Sequence, residues 1–122
     1  MKDSFYKEFI EHSAIGYALH RIVLDDDDKP VDYQFIDVNR EFERMTGLRG
    51  DNILNKKVSE VLPGIHDDKS DWISVYGDIA LHGGEREFEQ YSERLDRHYR
   101  VKAYSPEKYF FTTIFEDITV MT

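Results

Sequence analysis

The last third of the chain restricts its fold most, because three extended segments follow one another with short breaks between them. Residues 86–95, 97–105 and 108–119 each alternate apolar or aromatic residues with polar ones. Neighbouring extended segments joined by short turns pair antiparallel. This region therefore predicts three antiparallel strands with one face against a core.

A tight turn between the first two of these segments would set their register. With Leu95 and Asp96 as the central turn residues, one face carries mostly apolar pairs and the other carries charged ones. On the apolar face, the predicted pairs are Phe88 with Ala103, Gln90 with Val101, and Ser92 with Tyr99. We expect this face to point to the core.

The first part of the chain predicts a short helix followed by a hairpin. Apolar residues recur at helical spacing over residues 5–12 and predict an amphipathic helix. Residues 15–24 and 31–38 are rich in β-forming residues and are separated by an acidic loop. These two segments are expected to pair as strands.

The middle of the chain predicts several helices. Asn39 is expected to cap a helix that carries Phe42 and Met45 on one face and ends at Gly47. As a helix cap alone, Asn39 would contribute about 1 kcal/mol. Helical turns are expected over 51–54 and 56–61, and a longer helix over 71–82 carries an apolar stripe of Trp72, Val75, Tyr76, Ile79 and Ala80. The whole pattern predicts an α+β domain with a five-stranded antiparallel sheet and helices on one face.

Composition argues against several classes of function. The 122 residues include no Cys, and 25 acidic against 16 basic residues give a net charge of −9. The lack of Cys excludes disulfides and Cys-ligated metals, and the five His residues lack metal-ligand spacing, so no metal site is expected. The negative charge argues against nucleic-acid partners and contact with anionic membranes. With neither a signal peptide nor an apolar spanning segment in the sequence, we expect a cytoplasmic location.

Three stretches in order along the chain resemble the PAS domain family. YQFIDVNREFERMTGL at 33–48 is similar to the family's strand, Asn, helix and Thr-Gly pattern. ERLDRHYRVKAYSP at 93–106 resembles a hairpin of PAS domains in bacterial sensor kinases and diguanylate cyclases, and YFFTTIFEDIT at 109–119 resembles the last PAS strand with its Asp-x-Thr ending. The resemblance implies an N-terminal helix over 1–14, a PAS domain over 15–119, and the start of a connection to an effector over 120–122.

The resemblance also implies a sensory function, with a cupped sheet and helices that enclose a small apolar cavity for a small-molecule ligand. The residues expected to line the cavity are Phe42, Met45, Val58, Leu62, Tyr76, Phe88, Tyr99, Val101 and Phe115. Asp117 and Thr119 are expected to relay a signal to a C-terminal histidine kinase or diguanylate cyclase that this chain does not include.

A homodimer is also expected, because the last strand carries apolar residues on both faces. The N-terminal helix is predicted to pack on the outer face of the sheet and to take part in the dimer. The predicted interface consists of Phe5, Phe9, Ile10, Phe110 and Ile114.

Two alternative functions remain open, and the sequence predicts no catalytic residue. One is a PAS module with a filled core that only dimerises and relays a signal, and the less favoured one is a cup-shaped, isomerase-like enzyme using Tyr99 and Asp117. The cofactor, if there is one, is not identified. The lack of Cys excludes a cysteinyl flavin adduct, and a haem bound through His82 is a minor alternative, because His82 ends the helix that carries the haem ligand in haem-binding PAS sensors.

Overall fold

The computed structural model describes residues 3–67, 71–92 and 96–121. Helices and strands occur where the sequence predicts them. In chain order they are α1 (Asp3–Glu11), β1 (Gly16–Leu24), β2 (Pro30–Val38), α2 (Arg40–Thr46), α3 (Gly50–Ile53), α4 (Val58–Val61), a 3-10 turn (Ile65–Asp67), α5 (Trp72–His82), β3 (Glu85–Ser92), β4 (Arg97–Tyr104), β5 (Phe110–Asp117) and a second 3-10 turn (Thr119–Met121).

The five strands form one antiparallel sheet in the order β2-β1-β5-β4-β3. The last strand, β5, lies at the centre of the sheet between β1 and β4, so it joins the N-terminal hairpin to the C-terminal one. The acidic loop between β1 and β2 is closed by Asp25, whose Oδ1 accepts hydrogen bonds from the backbone N of Asp27 at 2.8 Å and of Lys29 at 3.0 Å. The predicted α+β fold is confirmed.

The predicted register of β3 and β4 is wrong by two residues. The structure pairs Phe88 with Val101, Gln90 with Tyr99, and Ser92 with Arg97. The cause is a connection of four residues, 93–96, instead of the two-residue turn predicted at Leu95 and Asp96; of these, Leu95 lies outside the described residues. A shift of two keeps every side chain on its predicted face, because side chains alternate with a period of two along a strand.

The longest helix of the central part, α5, packs most of one side against the sheet. Its buried residues are Ile73, Tyr76, Gly77, Ile79 and Ala80, whereas Trp72 and Val75 of the predicted stripe are half-buried. At Gly77 a Cβ atom would overlap the ring of Pro30 on β2. Glycine therefore allows α5 to approach β2 closely.

The N-terminal helix α1 does not cover the outer face of its own sheet, which corrects the predicted packing. Phe5 and Phe9 are 60% and 75% exposed. The helix is held at its last turn instead, where Asn39 Nδ2 donates to the backbone O of Ile10 at 2.8 Å and Arg40 pairs with Glu11 at 3.2 Å. Its apolar side is left free in the single chain.

The outer face of the sheet is covered in part by its own side chains. On β5, Phe110 and Ile114 are half-buried, and the guanidinium of Arg21 lies 5.4 Å from the centre of the Phe110 ring. On β4, Arg100 pairs with Glu87 at 3.4 Å and Glu116 at 3.0 Å. Across the ranges described, the helices are all too short or too polar to span a bilayer.

Candidate functional site

A cavity of about 610 Å³ lies between the inner face of the sheet and the helices. All five strands contribute to its wall, together with α2, α5 and the segment after α4. Seventeen described residues line it: His20, Tyr33, Phe35, Phe42, Met45, Thr46, Leu48, Leu62, Pro63, Gly64, Ile65, Trp72, Tyr76, Gln90, Tyr99, Thr113 and Phe115.

Six of the nine residues predicted to line the cavity do so, namely Phe42, Met45, Leu62, Tyr76, Tyr99 and Phe115. The other three, Val58, Phe88 and Val101, are not among the lining residues. Val58 and Val101 are 0% exposed and packed into the core, and the ring of Phe88 lies 4.8 Å from that of Trp72. Neighbouring side chains enclose Val58 and Val101, whereas Phe88 is half-buried against Trp72.

Sequence reasoning missed several polar and aromatic residues of the wall. His20, Tyr33, Phe35 and Thr113 all lie on the inner face of their strands. The alternation along each predicted strand could have found them, since Thr113 lies two residues from Phe115. No such signal exists for residues 63–65, whose position depends on tertiary contacts.

Asn39 positions the α2 wall and is confirmed as the N-cap of that helix. Its Oδ1 accepts hydrogen bonds from the backbone N of Phe42 at 3.0 Å and of Tyr17 at 2.9 Å. Its Nδ2 donates to the backbone O of Ile10 at 2.8 Å and of Ile15 at 2.9 Å. With 1% of its surface exposed, Asn39 joins α1, β1 and α2 at one buried point.

A second buried polar side chain, Asp32 of β2, holds α4 and so positions the segment after it, which lines the cavity. One oxygen accepts from the backbone N of Ser59 at 3.2 Å, and the other accepts from the Ser59 hydroxyl at 2.5 Å. The segment before α4 also pairs with β2, since the backbone N of Phe35 donates to the O of Lys56 at 3.0 Å. The start of α4 is thereby fixed to the sheet.

Aromatic rings form much of the cavity wall, and several of them stack. The rings of Tyr76 and Phe111 are nearly parallel with centres 4.7 Å apart, and Phe111 stacks in turn on His20 at 4.4 Å. Tyr33 contacts His20 edge-on at 5.0 Å, and Trp72 stacks on Tyr76 at 5.7 Å. Such walls suit an apolar or aromatic ligand.

The cavity wall is electrically neutral. No Asp, Glu, Lys or Arg of the described residues lines it. Burial lowers the pKa of His20 to about 3, so its imidazole is uncharged at neutral pH. Burial raises the pKa of Tyr33 and Tyr76 above the usual range, so both phenols stay protonated. A charged ligand would find no counter-ion among these lining residues.

Asp117 and Thr119, the predicted relay residues, form a hydrogen-bonded group after β5. The backbone N and Oγ1 of Thr119 donate to Asp117 Oδ1 at 3.0 and 2.6 Å, and Thr119 Oγ1 accepts from the backbone N of His98 at 3.0 Å. These bonds from Thr119 are the main cause that lowers the pKa of Asp117. Asp117 lies opposite Tyr99 in the register but is not a lining residue, so the geometry does not favour an acid–base pair inside the cavity.

His82 is not directed into the cavity. Its side chain is 72% exposed, its Nε2 lies 4.0 Å from Asp78, and it is not a lining residue of the large cavity. The haem alternative through His82 therefore has no support in this geometry.

The comparisons with known proteins agree with this architecture. The family model described as PAS domain matches residues 4–80, more than half of the chain. The chain belongs to the PAS domain family, whose members are sensory signalling modules. A comparison with curated proteins finds no match.

Solved PAS and LOV structures share the fold at low sequence identity. The PAS domain of an HTR-like protein from Haloarcula marismortui is 19% identical with a TM-score of 0.56, covering 94% of this chain and 96% of that one. The Rhodobacter sphaeroides LOV protein is 14% identical with a TM-score of 0.55, covering 97% and 69%. The Erythrobacter litoralis EL346 blue-light activated histidine kinase is 18% identical with a TM-score of 0.53, covering 93% and 36%.

Proposed function

We propose that this PAS domain senses a small, uncharged and largely apolar molecule that binds in the cavity. The observation that carries the proposal is the size of the cavity together with its neutral wall. Ligand pockets in proteins measure about 300–1,000 Å³, whereas voids larger than one water molecule are rare in protein interiors. A volume of about 610 Å³ lies well within the range of ligand pockets.

Native mass spectrometry of the purified protein tests the proposal. We expect a species heavier than the 14.5 kDa chain by the mass of one small molecule, which is lost after extraction with organic solvent. Naphthalene, a neutral apolar probe, should then bind the extracted protein. If the protein carries no added mass and does not bind naphthalene, the result would favour the ligand-free relay module instead.

Tryptophan fluorescence supplies a site-specific version of this test. Trp72 is the single Trp of the chain and lines the cavity, so its emission should change when a ligand enters. In a matched control, Trp72→Phe is combined with Tyr104→Trp, which moves the reporter to the outward side of β4. The control protein should bind the same probe with little change in emission.

The proposed function includes a homodimer formed through α1 and the outer face of the sheet of a second copy. The support is the exposed apolar side of α1 at Phe5 and Phe9. A helix this short is marginally stable unless its apolar side packs against another surface, and exposed apolar patches of this kind mark interfaces. Phe9→Glu should shift the protein to monomers in sedimentation velocity. Leu54→Glu, an exposed apolar site at the end of α3, is the control and should leave the dimer intact. A monomeric parent protein at high concentration would contradict this part.

We propose that residues 15–119 form the sensory domain, that 1–14 are the dimer element, and that the effector after residue 119 is a histidine kinase or a diguanylate cyclase. The Asp117 and Thr119 group would couple the sheet to that effector, since it fixes the chain as it leaves β5. Thr119→Val should abolish any ligand-dependent change in hydrogen exchange after Asp117. Val120→Ala, at a 95% exposed site, should retain it.

A further inference from the structure

His20 stands out among the polar residues of the cavity wall because its hydrogen bonding is incomplete. The residue is 3% exposed, and Nε2 lies 3.1 Å from the hydroxyl oxygen of Thr113. Nδ1 is buried without a hydrogen-bond partner, and it is the one such side-chain atom in the described part of the chain. His20 and Thr113 both line the cavity.

An unpaired imidazole nitrogen among aromatic rings is costly, since it has lost water and gained no partner. A neutral imidazole carries one N–H donor and one acceptor lone pair. If Thr113 accepts from Nε2, then Nδ1 is an acceptor, and if Thr113 donates to Nε2, then Nδ1 is a donor. In either tautomer, Nδ1 keeps one open hydrogen-bonding position; because the atom is buried, a ligand group reaches it when the imidazole rotates about χ2 toward the cavity.

The surrounding wall restricts what can carry that group. Seven aromatic rings line the cavity besides the imidazole, and no charged side chain of the described residues does. Flat rings stack on such walls with little loss of conformational entropy. An ionised group would be buried without a partner there.

We infer that His20 and Thr113 form the polar recognition point of the cavity, and that its ligand is a flat aromatic molecule with one uncharged hydrogen-bonding group, such as a hydroxyl or a ring N–H. This inference rests on the proposed function, that the cavity binds a ligand. It adds the chemical class of the ligand and the residues that select it.

Calorimetric titration with 2-naphthol and naphthalene tests the inference, because the two probes differ in one hydroxyl group. The parent protein should bind 2-naphthol about tenfold more tightly, the value of one net hydrogen bond. His20→Phe keeps an aromatic ring beside Phe111 and should reduce this preference to less than twofold. His82→Phe makes the same exchange at a 72% exposed site that does not line this cavity, and it should leave the preference unchanged.

The outcomes separate the two proposals. Equal affinity of the parent protein for both probes would overturn the role of His20 while leaving ligand binding in place. No binding of either probe would contradict both. Nitrogen NMR of the unmodified protein decides the matter even where His20→Phe fails to fold: the His20 Nδ1 resonance should shift with 2-naphthol and stay in place with naphthalene.

Discussion

Replacing Asn39 by Ala should destabilise the domain well beyond the loss of a helix cap. The side chain makes four hydrogen bonds of 2.8 to 3.0 Å and is 1% exposed. A net contribution of about 1 kcal/mol per bond would give about 4 kcal/mol in total, and solvent can rehydrate part of the carbonyl groups left behind. We therefore expect the free energy of unfolding to fall by about 2 to 4 kcal/mol, against about 1 kcal/mol for the cap alone.

Urea denaturation followed by circular dichroism measures this loss, and two further variants show where it comes from. Asn39→Asp keeps the oxygen that accepts from the amides of Phe42 and Tyr17. It places a second carboxylate oxygen against the carbonyls of Ile10 and Ile15, so it should destabilise the domain by at least half as much as Asn39→Ala. Asn52→Ala, at an exposed position of α3, is the matched control and should change stability by less than about 0.5 kcal/mol.

Hydrogen exchange at the backbone amide of Tyr17 gives an independent reading, because Asn39 Oδ1 is its acceptor. Protection of this amide should fall sharply in Asn39→Ala and stay in Asn39→Asp. A loss of 1 kcal/mol or less in Asn39→Ala, with the Tyr17 amide still protected, would refute the idea that this side chain holds α1 and β1 to α2.

Three further changes test the core and the cavity. Phe42→Ala should cost about 3 to 5 kcal/mol and lower the melting temperature, since Phe42 is 3% exposed, and an unchanged melt would contradict its place in the core. Burial lowers the pKa of His20 from 6.5 to about 3, so between these pH values the unfolded chain binds a proton that the folded one does not. The free energy of unfolding, measured by urea denaturation, should therefore fall as the pH drops through this window, and it should fall less in His20→Phe. Gly77→Ala should cost about 1 to 3 kcal/mol by overlap with Cβ and Cγ of Pro30, and Pro30→Gly, which removes both atoms, should restore part of the loss in a denaturant titration.

The helices and strands were predictable because local patterns specify them. Asn39 and Gly47 cap α2 as expected, with Gly47 at a φ of 75° in the left-handed region. The alternation in β4 identified Tyr99 and Val101 as inward residues, and both are buried. These features depend on the backbone geometry of a few neighbouring residues, so the local sequence is enough to predict them.

The register of the β3–β4 hairpin was not predictable in the same way. Two registers that differ by two residues place the same side chains on the same faces, so the apolar pattern cannot distinguish them. The loop length decides between them, and four residues separate Ser92 from Arg97. The charged pairs on the outer face tolerate either register, because the outward positions of β3 are mostly acidic and those of β4 are mostly basic.

The polar part of the cavity wall depends on contacts between distant segments. Thr113 comes 93 residues after His20, so no local pattern brings the two side chains together. Asp32 lies on β2 and bonds the first turn of α4 across the structure, so no local pattern around Ser59 predicts this contact. The exposed state of Phe9 was also missed, because an amphipathic pattern does not say which surface covers the apolar side.

The way the cavity is built explains how a space of 610 Å³ persists inside a small domain. One wall is the sheet, whose ladder of backbone hydrogen bonds holds the inward side chains in place. The opposite wall includes α2 and the segment that follows α4. The two helices have seven and four residues and are too short to be stable alone. Asn39 and Asp32 fix the first turns of these helices through buried hydrogen bonds. Because these buried hydrogen bonds fix the distance between the helices and the sheet, apolar side chains need not fill the space between the two walls.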